Sequence, residues 1–365
     1  MFLFVCAFSY GKKFKLKEFF VKVILSSERY LLKKNQSQFY SSINKYNNIF
    51  MLLLVNLFFV GLTVKLASIA PEGSFWYDMA LKIKQELEKD QTTKIVVYSG
   101  TAMGDEADIV RKLRIGQLHA AGLTSHGLEM ISPEIRAYDI PLVFNSWEEF
   151  FEVRTKLFPE LARRYEKKGY KLLSHFAIGF VYIFSKSENI WGSNLWVWIG
   201  DTLAEAQAKE LQGIFKIVPL QIIDVLQALA TGIVDTVFNT FYALHALQWS
   251  KFIKSYIPMP QYIYSAGIVV RKDVWDKIPE ETRRRGEKFI LENSLSVEEG
   301  IVKLEKQTQE ELSKRVRVEN DPRKIEELKN ALEKIKKRVI ESNPEIKDFY
   351  VLIEKELKEI RSRKK

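Results

Sequence analysis

From Val64 onward, short apolar runs alternate with amphipathic stretches. Residues 64–70 (VKLASIA) read as a strand closed by Pro71-Glu72-Gly73. After it Ser74 can cap a helix whose Trp76, Met79, Ala80, Ile83 and Leu87 recur at helical spacing. Residues 94–99 predict a second strand and Gly100 to Gly104 a turn. Asp105 and Glu106 then open a helix with Ile109, Leu113 and Ile115 on its apolar side, and 118–124 is a third strand. Further strands are expected over 140–144, 171–176, 181–185, 195–199, 215–220, 233–238 and 262–270, with helices at 201–212 and 222–230. Strands separated by helical patterns of this length argue for βαβ units and mainly parallel sheets. Beyond Pro279 the texture becomes charged helix, 280–314 and 323–341, read as a solvated face packed on the body.

Ahead of this pattern, Ile49 to Leu62 form fourteen residues with one Asn and no charge. That run is short for a membrane span, which needs about 20 apolar residues, and long enough for a signal-peptide core. Export is therefore expected, with residues 1–62 as extension and signal peptide. The same segment accounts for most of the charge. Of the net charge of +10, residues 1–50 carry +7. The body has no clustered basic surface of the kind nucleic acid needs, so no nucleic-acid partner is expected.

Motifs for chemistry are lacking. Gly100 to Gly104 has no following Lys-Ser/Thr, and the acids after it occupy the helix start where a phosphate would sit. His119, His126, His175 and His245 form no metal-ligand spacing, and the lone cysteine, Cys6, lies in the leader. No G-x-S-x-G elbow occurs. Neither cofactor nor metal is expected, and binding is favoured over catalysis.

Four stretches in order resemble the periplasmic receptors of TRAP transporters, the DctP-type P subunits. They are VKLASIAPEGSFWYDMA, YSGTAMGDEADIVRKLRIGQLHAAGLTS, VPLQIIDVLQALATGIVDTVFN and YSAGIVVRKDVWDKIPEETR, and the likeness covers about residues 63–320. The resemblance implies an α/β, two-lobed, periplasmic-binding-protein-like fold with a hinge, a ligand cleft between the lobes and a long C-terminal helical segment. Lobe I would be 63–177 plus 265–304, and lobe II 178–264 plus 305–365. It also implies a non-enzymatic, periplasmic solute receptor, free or tethered to the membrane. Such a receptor delivers a small-molecule ligand to TRAP permease subunits, with a tetratricopeptide lipoprotein as a further partner.

The chain departs from that family at its carboxylate clamp. Where most members have G-L-K-hydrophobic-R-V-P, this sequence reads Gly192-Ser193-Asn194-Leu195-Trp196-Val197-Trp198, so Trp196 replaces the arginine. No cation stands in 178–182 either. Burying a carboxylate without a charged partner is costly. The expected ligand is therefore apolar or amphipathic. The expected site residues are Trp76, Thr124, Ser125, Phe180, Tyr182, Trp196, Trp198 and Asn239, with Trp196 and Trp198 sharing a strand face. The alternatives are an exported ligand sensor or scaffold, or an enzyme on the same fold drawing on Asp201, Asp235 or His126.

Overall fold

The structure, a computed structural model, describes residues 61–200 and 202–363. The apolar run expected as an export signal lies outside them as far as Val60.

Two mixed sheets organise the chain. The first has the order β2-β1-β3-β10-β4, from β1 (Leu62–Ser68), β2 (Thr93–Tyr98), β3 (Ala120–Thr124), β4 (Tyr170–Phe180) and β10 (Ile263–Arg271). The second has the order β11-β9-β5-β8-β6-β7. Its strands are β5 (Tyr182–Ser185), β6 (Asn194–Trp198), β7 (Lys216–Leu220), β8 (Thr236–Asn239), β9 (Ser255–Ile257) and β11 (Arg317–Val318). β1 is parallel to β2 and β3, and β6 is parallel to β7 and β8, as helical crossovers require.

The sheets are less parallel than the alternation suggests, because two strands carry the chain between lobes. β4 continues into β5 on the way out, and β9 leads into β10 on the way back. β10 therefore pairs antiparallel with β4 and with β3. At the crossing, the Val181 N–H donates to the Tyr262 carbonyl at 2.8 Å, and the Gln261 N–H donates to the Val181 carbonyl at 2.8 Å. The hinge is thus a two-stranded ribbon.

The helices follow their sequence signals closely. α1 (Phe75–Glu88) starts at Ser74, whose side chain accepts from the Tyr77 N–H. α2 (Glu106–Arg114) is capped by Asp105. The short α3 (Ser125–Glu129) follows β3 directly, with Thr124 as its cap. α4 (Trp147–Lys167) packs on β4. In the second lobe α5 (Thr202–Glu210), α6 (Ile222–Thr231) and α7 (Phe241–Ala246) connect the strands. After α8 (Lys272–Trp275), α9 (Glu280–Ser313) runs for 34 residues, about 51 Å at 1.5 Å per residue. It touches α1 and β4 on one lobe and α7 on the other.

One strand expectation fails. Residues 140–144 (IPLVF) form no strand. They follow a 3-10 helix (Pro133–Asp139), and Leu142 has φ of 61°, with its N–H donating to the Gln261 carbonyl at 3.0 Å. The run is apolar because it is buried loop, which short apolar stretches alone cannot distinguish from strand.

The tail is also more than a solvated face. α10 (Pro322–Ser342) packs on α5, and α11 (Pro344–Arg363) packs on the 3-10 helix and α4. Ile346, Phe349, Ile353 and Ile360 of α11 are buried. Arg361 bonds both carboxylate oxygens of Glu149, and Arg338 of α10 pairs with Glu210 of α5. The two C-terminal helices therefore strap one lobe to the other. Phe349 is fully buried against Tyr138 at 5.7 Å. Phe349→Ala should cost about 3–5 kcal/mol of stability, read as a lower urea midpoint; an unchanged midpoint would mean that α11 is not part of the core.

Candidate functional site

Between the two sheets lies a cavity of about 180 Å³. An apolar cavity of about 150 Å³ is enough for a benzene ring, so this one accommodates a small organic molecule. Its first-lobe wall comes from β1, α1, β3, β4 and β10, and includes Trp76, Met79, Phe176 and Ile178. Its second-lobe wall comes from β6, α5, α7 and the start of α6, and includes Trp196, Trp198, Leu203 and Ile222. Trp76 lies flat on Phe176, with centroids 4.7 Å apart. Trp196 and Trp198 leave β6 on one side, 6.0 Å apart.

Direct contacts join the lobes around this cavity. The Asp105 carboxylate accepts from the Glu106 N–H at 2.6 Å, capping its own helix, and from the Ile222 N–H at 3.1 Å, at the start of α6 in the other lobe. One side chain thus serves two helix N-termini across the cleft, where their dipoles favour negative charge. Burial nonetheless raises the Asp105 pKa above the ordinary carboxylate value, against the backbone N–H groups of Glu106 and Ile222 and the neighbouring His126. The His126 ring of α3 stacks on Trp198 at 4.2 Å. The Phe75 N–H donates to the Tyr242 hydroxyl at 3.0 Å, tying α1 to α7.

The floor on the first-lobe side is polar. Tyr264 Oη donates to Thr124 Oγ1 at 2.8 Å, and Thr124 Oγ1 donates to Glu106 Oε2 at 2.8 Å. The Thr124 and Gly127 N–H groups also donate to Glu106, at 2.7 Å each. Burial pushes the Glu106 pKa up to about 7, against these bonds and His126. Arg136 lines the cavity too, although fully buried. Its Nε donates to Glu129 Oε2 at 2.8 Å, and its Nη1 lies 3.6 Å from Asp139 Oδ2. The Asp139 pKa rises to about 6 through burial, opposed by Arg136 and by Ser125 and Ser265.

Of the residues expected at the site, Trp76, Thr124, Trp196, Trp198 and Asn239 line this cavity together. Ser125 lies behind it, fully buried, donating to Asp139. Phe180 packs edge-on to Trp147 at 5.5 Å, and Tyr182 sits among Phe184, Phe241 and Tyr256. Phe176 and Ile178 line the cavity, but a β-bulge at Ile178 reverses the alternation, so Val181 lines it and its two neighbours project elsewhere. The sequence reading placed no cation in the cleft, yet Arg136 is there. No motif marks it; only its i,i+3 spacing to Asp139 hints at the pairing. Glu106, read as a cap, is instead a buried acceptor, and Gln207 and Tyr264 carried no signal.

A sequence profile of the bacterial extracellular solute-binding proteins, family 7, matches residues 66–343. The chain belongs to that family. Its fold is similar to solved structures of TRAP periplasmic solute-binding proteins at low identity. A TRAP periplasmic solute-binding protein of Desulfovibrio salexigens with bound orotic acid is 14% identical, with a TM-score of 0.72 over 82% of this chain and 99% of that one. One from Desulfovibrio desulfuricans with sn-glycerol-3-phosphate is 16% identical, TM-score 0.71, over 80% and 99%. One from Sulfurospirillum deleyianum with succinate is 15% identical, TM-score 0.70, over 80% and 98%. A search of curated protein sequences found no match. The family 7 architecture of two α/β lobes accounts for the two sheets, the crossing ribbon and the cavity between them.

Glu305 on α9 connects the backing helix to the cavity wall. Its carboxylate accepts from the Tyr242 N–H at 2.7 Å and the Phe241 N–H at 3.3 Å, holding the start of α7, whose Ala243 and Ala246 line the cavity. Burial raises its pKa from 4.5 to about 7, against the bonds from Tyr242, Thr240 and Phe241. A carboxyl whose folded value is raised adds stability that is complete below its unfolded value and is lost as pH climbs through the folded one. Between pH 4.5 and 7 this group should therefore forfeit up to about 3 kcal/mol. The fall in urea midpoint from pH 5 to 7.5 should be smaller in Glu305→Gln than in the wild type; equal falls would mean that Glu305 is not the buried titrating carboxyl.

Proposed function

We propose that this family 7 protein is the extracytoplasmic receptor of a TRAP-type secondary transporter, taking a small apolar or amphipathic organic molecule into the interlobe cavity. Membrane permease subunits, with a tetratricopeptide lipoprotein beside them, are its partners. The carrying observation is the cavity itself. Indole, phenyl and aliphatic side chains from both lobes wall it, and its single guanidinium is already held by Glu129 and faces Asp139. Aromatic walls with few polar anchors are typical of small-molecule sites. The acid-bearing ligands of the relatives above do not transfer to this cavity on fold similarity alone.

We assign lobe I to 63–177 plus 265–304 and lobe II to 178–264 plus 305–365, with α11 reaching back onto lobe I. The export signal is assigned to the apolar run before Val64, which makes the protein periplasmic. A binding role is favoured over chemistry because Asp235 and His126 do not line the cavity. Asp201 lies outside the described residues.

Trp196 carries two duties. Its Nε1–H donates to the Leu220 carbonyl at 3.0 Å and its ring meets Trp249 edge-on at 5.4 Å, so truncating it damages the core as well as the wall. A cleaner test fills the space from α1. Ala80 lines the cavity and is only partly buried. Ala80→Phe should abolish uptake of ethylbenzene in calorimetry while moving the ligand-free melting temperature by no more than about 2–4 °C, the size of a 1 kcal/mol change. Undiminished uptake would place the binding site elsewhere.

A further inference from the structure

The direction of the hydrogen bonds on the cavity floor is fixed. Thr124 Oγ1 has one proton and two acceptor positions. It accepts from the His126 N–H at 3.3 Å and from Tyr264 Oη at 2.8 Å, so its own proton goes to Glu106 Oε2. Glu106 receives three donors in all, from the Thr124 N–H, Thr124 Oγ1 and the Gly127 N–H. Tyr264 has therefore spent its proton on Thr124, and its oxygen can only accept. Whatever polar group meets this floor must donate.

The second-lobe wall has the opposite polarity. Gln207 of α5 lines the cavity, is 4% exposed, and its Nε2 has no acceptor among the described residues. A buried amide N–H group left without an acceptor costs stability, which a ligand oxygen would restore. Asn239 adds a second amide of the same sense. Its Oδ1 accepts from the Thr240 N–H at 2.9 Å, so its amino group is the part left to donate. The cavity thus offers neutral donors on one wall and an acceptor on the floor.

Charge excludes the family's ordinary cargo. Arg136 is the one guanidinium among the lining residues, with Glu129 and Asp139 beside it, and Glu106 lines the same cavity. A ligand carboxylate would bring a third acid to a cation already faced by two, in a buried space.

We infer that the receptor proposed above selects an uncharged molecule with an apolar skeleton, one carbonyl-type oxygen for Gln207 and one N–H or O–H donor for Tyr264. Primary amides, lactams and hydroxy-ketones belong to this class, and carboxylates do not. The inference rests on the receptor reading, and three probes of one skeleton separate the two. Calorimetry at pH 7.5 on the purified protein would compare 2-phenylacetamide, phenylacetate and ethylbenzene. The amide should bind at least tenfold more tightly than either of the others. Gln207→Leu and, separately, Tyr264→Phe should each weaken amide binding at least fivefold and shrink the amide's advantage over ethylbenzene at least fivefold. Phenylacetate binding as well as the amide, or ethylbenzene binding as well as the amide, would overturn the inference and leave the receptor reading standing. Failure of all three probes to bind would overturn both.

Discussion

The Asp105 carboxylate accepts from the first residue of α2 on one lobe and the first residue of α6 on the other. The space between the sheets has a definite size because the lobes meet there, at the His126–Trp198 stack, and at the bond from Phe75 to Tyr242. Behind them the Val181–Tyr262 and Val181–Gln261 bonds hold the crossing ribbon. These contacts and the crossing ribbon bound a ligand-sized volume. A buried apolar cluster that includes Leu123 and Leu172 of one lobe and Leu195 and Leu203 of the other, with the two C-terminal helices, also joins the lobes.

Buried polar atoms without a partner occur in the core too, at Tyr138 Oη and His175 among the described residues, but Gln207 carries one beside space for a ligand. The buried Glu149 carboxylate is paired with the more exposed Arg361. In the cavity, an acceptor chain ends at Tyr264 and an amide donor at Gln207 waits without a partner. Such incomplete bonding is tolerated where a ligand completes it, and it specifies that ligand better than the aromatic walls, which any apolar skeleton would satisfy. Glu305, reaching from the backing helix to the start of α7, links the same wall to the element that spans both lobes.

Much of the fold is legible in the sequence because its signals are local. Ser74 and Asp105 cap the helices they precede, Gly232 ends α6 with φ of 83°, and the strands at 64–70, 94–99 and 118–124 reappear within a few residues. The failures are non-local. IPLVF has strand composition, but the chain turns at Leu142 to meet Gln261, a partner more than a hundred residues away. Five expected lining residues converge, while Phe180 and Tyr182 miss because the register at the crossing puts Val181 inward. Arg136 and Gln207 carry no pattern that distinguishes them from any surface arginine or helical glutamine; only the folding of distant elements onto one another makes them neighbours of the cleft. The charged tail hides the apolar stripe of α11 for the same reason, since its partners lie in the 3-10 helix and α4.

The most direct measurement is a crystal structure of the protein purified from its native host without added ligand. Continuous density for a small molecule, enclosed by Trp76 and Phe176 on one side and Trp198 and Gln207 on the other, is the predicted result. A cavity sealed by protein side chains, with the bound molecule on another surface, would contradict the account.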